Sequence, residues 1–309
     1  MHEAQMHRWE HEHTFGTQTV PRGESRTRWV IALTVVMMVV EIAAGWAFGS
    51  MALLADGWHM GTHAAALSVT AFAYVYMRRH AEDPRYSFGT GKVGPLGGFA
   101  SAVALAVVAL MVFAESAWRL TEPVGIRFDY AIGVAVVGLV VNLASALILS
   151  DGRHGHAEAE GHHHHDHNLR AAYLHVLADA LTSVLAIVAL SAGKFLGWMW
   201  MDPIMGIVGS VVIARWSVGL LRQTSAVLLD GEIGTEQRET IRSLIEADGD
   251  NRVADLHVWR VGPSHLAAIV SVITHEPQAP DHYKGLLAER ADLVHVTVEV
   301  NGCPGATAA

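Results

Sequence analysis

Six stretches of this chain are each long and apolar enough to cross a bilayer as a helix, and no other feature restricts its fold so strongly. They cover residues 29–49, 51–77, 93–118, 130–149, 171–195 and 204–221. A bilayer core is about 30 Å thick, which takes about 20 helical residues. Lipid offers no partner to an unpaired backbone N–H or C=O, so an all-helical bundle is the expected outcome. Alanine, valine, leucine and glycine dominate these stretches, which suits close packing of helices in lipid. The first lies too far from Met1, and is followed by too many others, to read as a cleaved signal peptide.

The rest of the composition narrows the function. Charged residues make up 17% of the 309, against about 25% in a soluble domain, and the mean hydropathy is +0.30. A net charge of −9 with neutral histidines leaves no basic footprint for nucleic acid. The single cysteine, Cys303, excludes an internal disulfide and any thiolate-rich metal site. Basic residues gather in one set of loops: Arg22, Arg26 and Arg28, then Arg78, Arg79, Arg85 and Lys92, then Arg153 and Arg170. The opposite set holds only Arg119, Arg127 and Lys194 near the helix ends. The excess of positive charge places both termini in the cytoplasm, and an even number of spans agrees.

The expected organisation is a tail at 1–28, a six-helix transmembrane domain at 29–222 and a cytoplasmic α+β domain at 230–309. Within the last, the patterning predicts a helix over 235–247 and strands over 253–261 and 265–274 joined by a turn. A second helix over 283–291 and a strand over 293–300 follow. A domain of about 80 residues is marginal alone, so dimerisation is expected.

Twenty histidines point to metal. Eleven lie in polar segments: His2, His7, His11 and His13 in the tail, and seven more in a low-complexity loop at 151–168 between spans four and five. Neutral imidazole is a common transition-metal ligand, so this loop reads as loose metal capture or as a solvated linker. Five more, at 257, 265, 275, 282 and 295, belong to the C-terminal domain, where they read with Glu299 and Cys303 as a regulatory metal site or as ordinary surface and core residues. His80 ends span two.

Three histidines lie within spans. His59 and His63 are four apart in span two, and His175 and Asp179 are four apart in span five. Such pairs share one helical face. Ionisable groups in a bilayer are costly and mark ion pathways. Two helices offering two ligands each can form a four-coordinate site of three nitrogens and one carboxylate oxygen. Asp56, three residues before His59, is a possible additional ligand. Glu41, Glu115 and Asn142 read as helix–helix glue or supports.

The chain resembles the cation diffusion facilitator family over nearly its whole length. The resemblance rests on Glu41-Ile42, the run Leu53-Leu54-Ala55-Asp56-Gly57-Trp58-His59-Met60, and Tyr86-Ser87-Phe88-Gly89-Thr90-Gly91-Lys92. It continues with His175-Val176-Leu177-Ala178-Asp179-Ala180 and Asp202-Pro203. It implies a homodimer that exports divalent metal in exchange for protons by alternating access, with a ferredoxin-like cytoplasmic dimerisation domain. Carried over, the metal ligands are His59, His63, His175 and Asp179. Zinc-transporting members have an aspartate where this chain has His63, so the site is similar to the cobalt- and nickel-exporting, DmeF-like branch. A further metal site that some members carry between spans two and three would fall here on Asp83, Tyr86 and Thr90, too poor a ligand set to expect one.

The expected function is therefore proton-coupled efflux of Co2+ or Ni2+ across a bacterial-type cytoplasmic membrane, with Zn2+ or Cd2+ efflux as the alternative. The metal is cargo, and no resident cofactor or enzymatic activity is expected. A membrane metal sensor has no need to bury its ligands in lipid. An intramembrane metalloprotease needs a His-Glu-x-x-His helix, and ATP-driven transport needs a Walker motif; the sequence contains neither.

Overall fold

The computed structural model describes residues 25–81, 83–151, 165–231, 233–262 and 264–303, and the following statements concern those residues. Six long helices come first: α1 (Ser25–Phe48), α2 (Met51–Arg79), α3 (Val93–Thr121), α4 (Phe128–Asp151), α5 (His165–Leu196) and α6 (Met201–Leu228). Each overruns its apolar stretch at one or both ends. α6 does so most, running on to Leu228, and α5 begins at His165, inside the polar run assigned to the preceding loop. Apolarity stops where lipid stops, but the i→i−4 ladder continues as long as the next residues accept helical dihedrals. The tail histidines and His154, His156, His162, His163 and His164 lie outside the described residues.

Two helices, α3 and α6, are long and apolar enough throughout to cross a membrane by length and composition. Shorter apolar lengths occupy Ala32–Phe48, Phe128–Ala144 and Ala180–Leu196. Contacts divide the chain into two compact units, one of Pro21–Val69 with Ala100–Leu220, the other including Thr70–Phe99 and Leu221–Ala309.

The first unit is helical. α1 packs along α4, and α4 along α5. Small residues line the inside, where Ala44, Ala131 and Ala135 pack with Leu53 and Leu190. Large apolar side chains stand on the outside, among them Leu110, Met111, Val140 and Phe195. That inversion suits a lipid solvent, in which helices associate by close approach rather than by hiding apolar surface from water. α1 ends at Gly49, whose φ of +76° a side chain would resist. Ser50 then caps α2, its Oγ accepting from Leu53 N at 3.1 Å. Asp202 of α6 completes the cap. Its carboxylate accepts from Met51 N at 2.7 Å, Ala52 N at 3.1 Å and Ser50 Oγ at 2.7 Å.

The second unit carries the sheet. α7 (Thr235–Glu246) precedes β1 (Arg252–Gly262) and β2 (His265–Thr274), and α8 (Pro280–Leu286) leads to β3 (Leu293–Gly302). The sheet order is β1-β2-β3, antiparallel between β1 and β2 and parallel between β2 and β3. This is the ferredoxin-like β-α-β-β-α-β order without its leading strand. Alternation on β2 turns Leu266, Ala268, Val270 and Val272 inward onto Ile241, Ile245 and Tyr283, all fully or nearly fully buried. Ile269 and Ile273 face outward and stay partly exposed, at 42% and 38%.

Candidate metal centre

α2 enters the helical unit with its first turn fixed by the Ser50–Asp202 cap, and two turns later presents Asp56 and His59. Both are buried, at 4% and 3% exposure. The Asp56 carboxylate is held by α5: Oδ1 accepts from Thr182 Oγ1 at 2.9 Å and Oδ2 from Ser183 Oγ at 2.7 Å. The imidazole of His59 lies against the Trp216 ring of α6, with centroids 4.7 Å apart. Beside them is a cavity of about 40 Å³ lined by Ala52, Asp56, His59, Thr182, Ala186 and Gly209, among others. A space of that size accepts a small ion or a few waters.

His63 on α2, and His175 and Asp179 on α5, are helical as their spacing requires, and their side chains lie outside the described part of the structure. Their positions are informative all the same. Residues 175, 179 and 183 recur at intervals of four, which places them on one stripe of α5. Ser183 is the member of that stripe that bonds Asp56.

Other intramembrane polar residues divide. Asn142 of α4 points its amide at Met60 Sδ of α2, 3.9 Å away, and Glu115 pairs with Arg119 at 2.9 Å. Those two act between or along helices as the sequence suggests. Glu41 does not. Its side chain is fully buried, and neither carboxylate oxygen has a hydrogen-bond partner among the described residues. The hydrogen bond that the glue reading of Glu41 requires is absent among the described residues. Sequence reasoning also missed Thr182 and Ser183. Their signal was two hydroxyls three and four residues beyond Asp179, one turn along the same face.

Outside the helical unit, the residues where some family members bind a second metal are otherwise engaged. Tyr86 shares a 2.7 Å hydroxyl contact with Tyr76, and Thr90 donates to Met77 O at 3.4 Å. Arg85 forks onto Asp83 and holds its carboxyl at about 2, well below the ordinary range. The same loop meets the sheet domain. Phe88 stands edge-on to Trp259 and His295, at 5.6 and 5.3 Å, and Lys92 pairs with Asp230 at 2.7 Å. A Cβ on Gly91 would overlap the Val261 carbonyl, so the backbone approach there requires glycine.

The C-terminal histidines mostly pair with carboxylates rather than with each other. His257 meets Asp255 at 2.8 Å, His275 meets Asp250 at 2.5 Å, and His282 meets Asp248 at 2.6 Å. The Thr274 hydroxyl and His275 together hold Asp250 at about 2. Among the described residues, no three His, Cys, Asp or Glu side chains converge as a metal site. The regulatory site imagined from His257, Glu299, Cys303 and their neighbours is thus not assembled there.

A helical bundle with an imidazole and a carboxylate buried on one helix is compatible with a protein that handles cations. The family model described as the cation efflux transmembrane domain matches residues 28–229. The chain belongs to that cation efflux, or cation diffusion facilitator, family of transporters. It is 32% identical over 304 residues to the zinc transporter ZitB of Escherichia coli (strain K12), covering 95% of this chain and 93% of that one. It is 30% identical over 292 residues to the metal cation efflux system protein CzcD of Cupriavidus metallidurans, covering 92% and 89%. With the cadmium, cobalt and zinc/H(+)-K(+) antiporter of Bacillus subtilis it shares 25% identity over 288 residues, covering 90% of each chain.

Proposed function

We propose that this protein exports a divalent transition-metal cation in exchange for protons, with the metal held by His59, His63, His175 and Asp179. The observation that carries the reading is the buried bond from Ser183 to Asp56. It joins the α5 stripe of residues 175 and 179 to the α2 face that bears His59. As cargo, the metal binds neutral imidazole and ionised carboxylate, so its binding releases protons. Imidazole titrates near physiological pH, and protons arriving from the opposite side displace the metal from the same groups. Alternating access then turns a proton gradient into metal efflux. Asp56, with each oxygen already accepting a hydroxyl, serves as a support that orients α2 against α5 rather than as a fifth ligand.

In this reading all six long helices cross the cytoplasmic membrane, with both termini in the cytoplasm. Two chains form a homodimer, and the outward row of Ile269 and Ile273 on β2 supplies apolar surface for it. The second imidazole on α2 favours cobalt or nickel, since it replaces a charged oxygen by a borderline nitrogen. The relatives, named as transporters of zinc or of cadmium, cobalt and zinc, favour zinc or cadmium as a second reading. A competitive uptake panel of cobalt, nickel, zinc, cadmium, manganese and iron in vesicles with an imposed pH gradient decides between them. His63→Asp is expected to move the preference toward zinc; an unchanged order of preference would place selectivity elsewhere.

A further inference from the structure

The helical unit buries an acidic group, Glu41, that neither the candidate metal centre nor a helix cap uses. Glu41, in the second half of α1, is fully buried with both oxygens unpartnered among the described residues. Its place is shaped by two glycines. A Cβ on Gly138 of α4 would overlap Glu41 Oε1, and one on Gly57 of α2 would stand 3.1 Å from Glu41 Cβ. The methyl of Met37, one turn earlier on α1, closes on the same Gly138 position. Neither the Gly138 contact nor the Met37 methyl brings a charge, and among the described residues the titratable neighbour of Glu41 is Asp56 of α2. That group is itself an acid, already bonded to Thr182 and Ser183.

An ionised carboxylate without a partner is strongly disfavoured in such surroundings, so a cation must accompany it. Metal ions require several ligands, and Glu41 is not part of any converging group of three His, Cys, Asp or Glu among the described residues. A proton requires one oxygen. We propose that Glu41 is a proton-carrying residue of the transport cycle, separate from the metal ligands, that takes up and gives back a proton as α1, α2 and α4 rearrange around Gly57 and Gly138. When the cradle is closed the proton stays on the carboxyl. When the helices part and water reaches the group, the O–H bond breaks, the proton leaves to water, and the carboxylate is solvated.

The inference rests on proton exchange being the driving reaction, and the test separates the two. Full-length protein in vesicles is assayed for cobalt and zinc in two modes: accumulation driven by a pH gradient, and metal–metal exchange at equal pH. Wild-type protein that exchanges metal but ignores the gradient would overturn the antiport reading and this inference with it. Given gradient-driven accumulation by the wild type, Glu41→Gln is expected to keep metal exchange and metal binding, measured calorimetrically, while losing gradient-driven accumulation and its pH dependence. Wild-type accumulation by Glu41→Gln overturns the proposal, and so does joint loss of exchange and metal binding, which would make Glu41 a ligand or a structural group. Should the variant fail to fold, dicyclohexylcarbodiimide, which attacks protonated carboxyls in apolar surroundings, is applied to the wild type. Modification mapped to Glu41, slowing as pH rises, supports the proposal, and its absence at Glu41 overturns it.

Discussion

The two compact units treat buried polarity in opposite ways. In the sheet domain, buried polar groups such as Thr274 and Asn251 are bonded to neighbouring loops, Thr274 to Asp250 at 2.6 Å and Asn251 to the Asp248 carbonyl. Three of its five histidines, His257, His275 and His282, pair with aspartates at the exposed surface. In the helical unit, His59 and Asp56 are enclosed, and Glu41 has no bond at all among the described residues. Water forgives a badly placed polar group at a surface, and lipid does not. Buried polar residues in the first unit are divided between helix caps such as Ser50 with Asp202 and the candidate metal centre, whereas Thr274 and Asn251 in the second serve folding.

This contrast is open to direct attack. The largest effect is expected at the metal centre, where His59→Ala should reduce vesicle uptake to background while the protein remains folded by gel filtration. Uptake surviving that change would remove His59 from the ligand set. In the sheet domain the largest expected effect is on stability. Ile241→Ala, which empties a fully buried position, should cost about 2–5 kcal/mol in denaturant unfolding of that domain, with metal binding by any folded fraction unchanged. Replacing both hydroxyls that hold Asp56, Thr182→Val with Ser183→Ala, should weaken metal affinity by about 10–100-fold, the usual cost of losing groups that orient a site. An unaltered calorimetric affinity would show Asp56 to be independent of the ligands.

Two smaller effects concern caps and surface pairs. Asp202→Ala removes the acceptor for the first turn of α2 and should lower stability by about 0.5–2 kcal/mol, typical of losing a helix cap. Thermal unfolding in detergent measures it. At the surface of the sheet domain, Asp250 is held at about 2, below its ordinary 3.8. A depressed carboxyl stabilises the fold above its unfolded value, and that contribution disappears as pH falls from near 3.8 through about 2. Asp250→Asn should flatten the acid limb of the stability curve in that window and leave neutral-pH transport untouched.

How much of this was legible beforehand follows from the range of each interaction. The helices could be read because lipid imposes a run of apolar residues on any segment that crosses it. The candidate ligand pairs could be proposed because an interval of four is a local property of one helix. The C-terminal strands were visible for the same reason, from alternation and the Gly262 turn. The partners of Asp56 lie 126 and 127 residues away, on another helix, and no local pattern reports such a distance. Asp202 is a sharper case. Next to Pro203 at the start of a helix, it reads as that helix's own first-turn acid, yet its oxygens serve α2, some 150 residues earlier. Glycine is common in membrane helices, so nothing in the sequence marked Gly57 and Gly138 as the walls around Glu41.

The cap that Asp202 places on α2 also decides how that helix can move. Three short bonds at Ser50, Met51 and Ala52 make a fulcrum, and the rest of α2 becomes a lever arm. His59 stands nine residues beyond Ser50, about 13 Å at 1.5 Å per residue. A swing of about 10° at the fulcrum carries it about 2 Å, the length of a metal–nitrogen bond. In the proposed metal centre, a slight tilt of this one helix would therefore open the coordination shell while its pinned end remains shut.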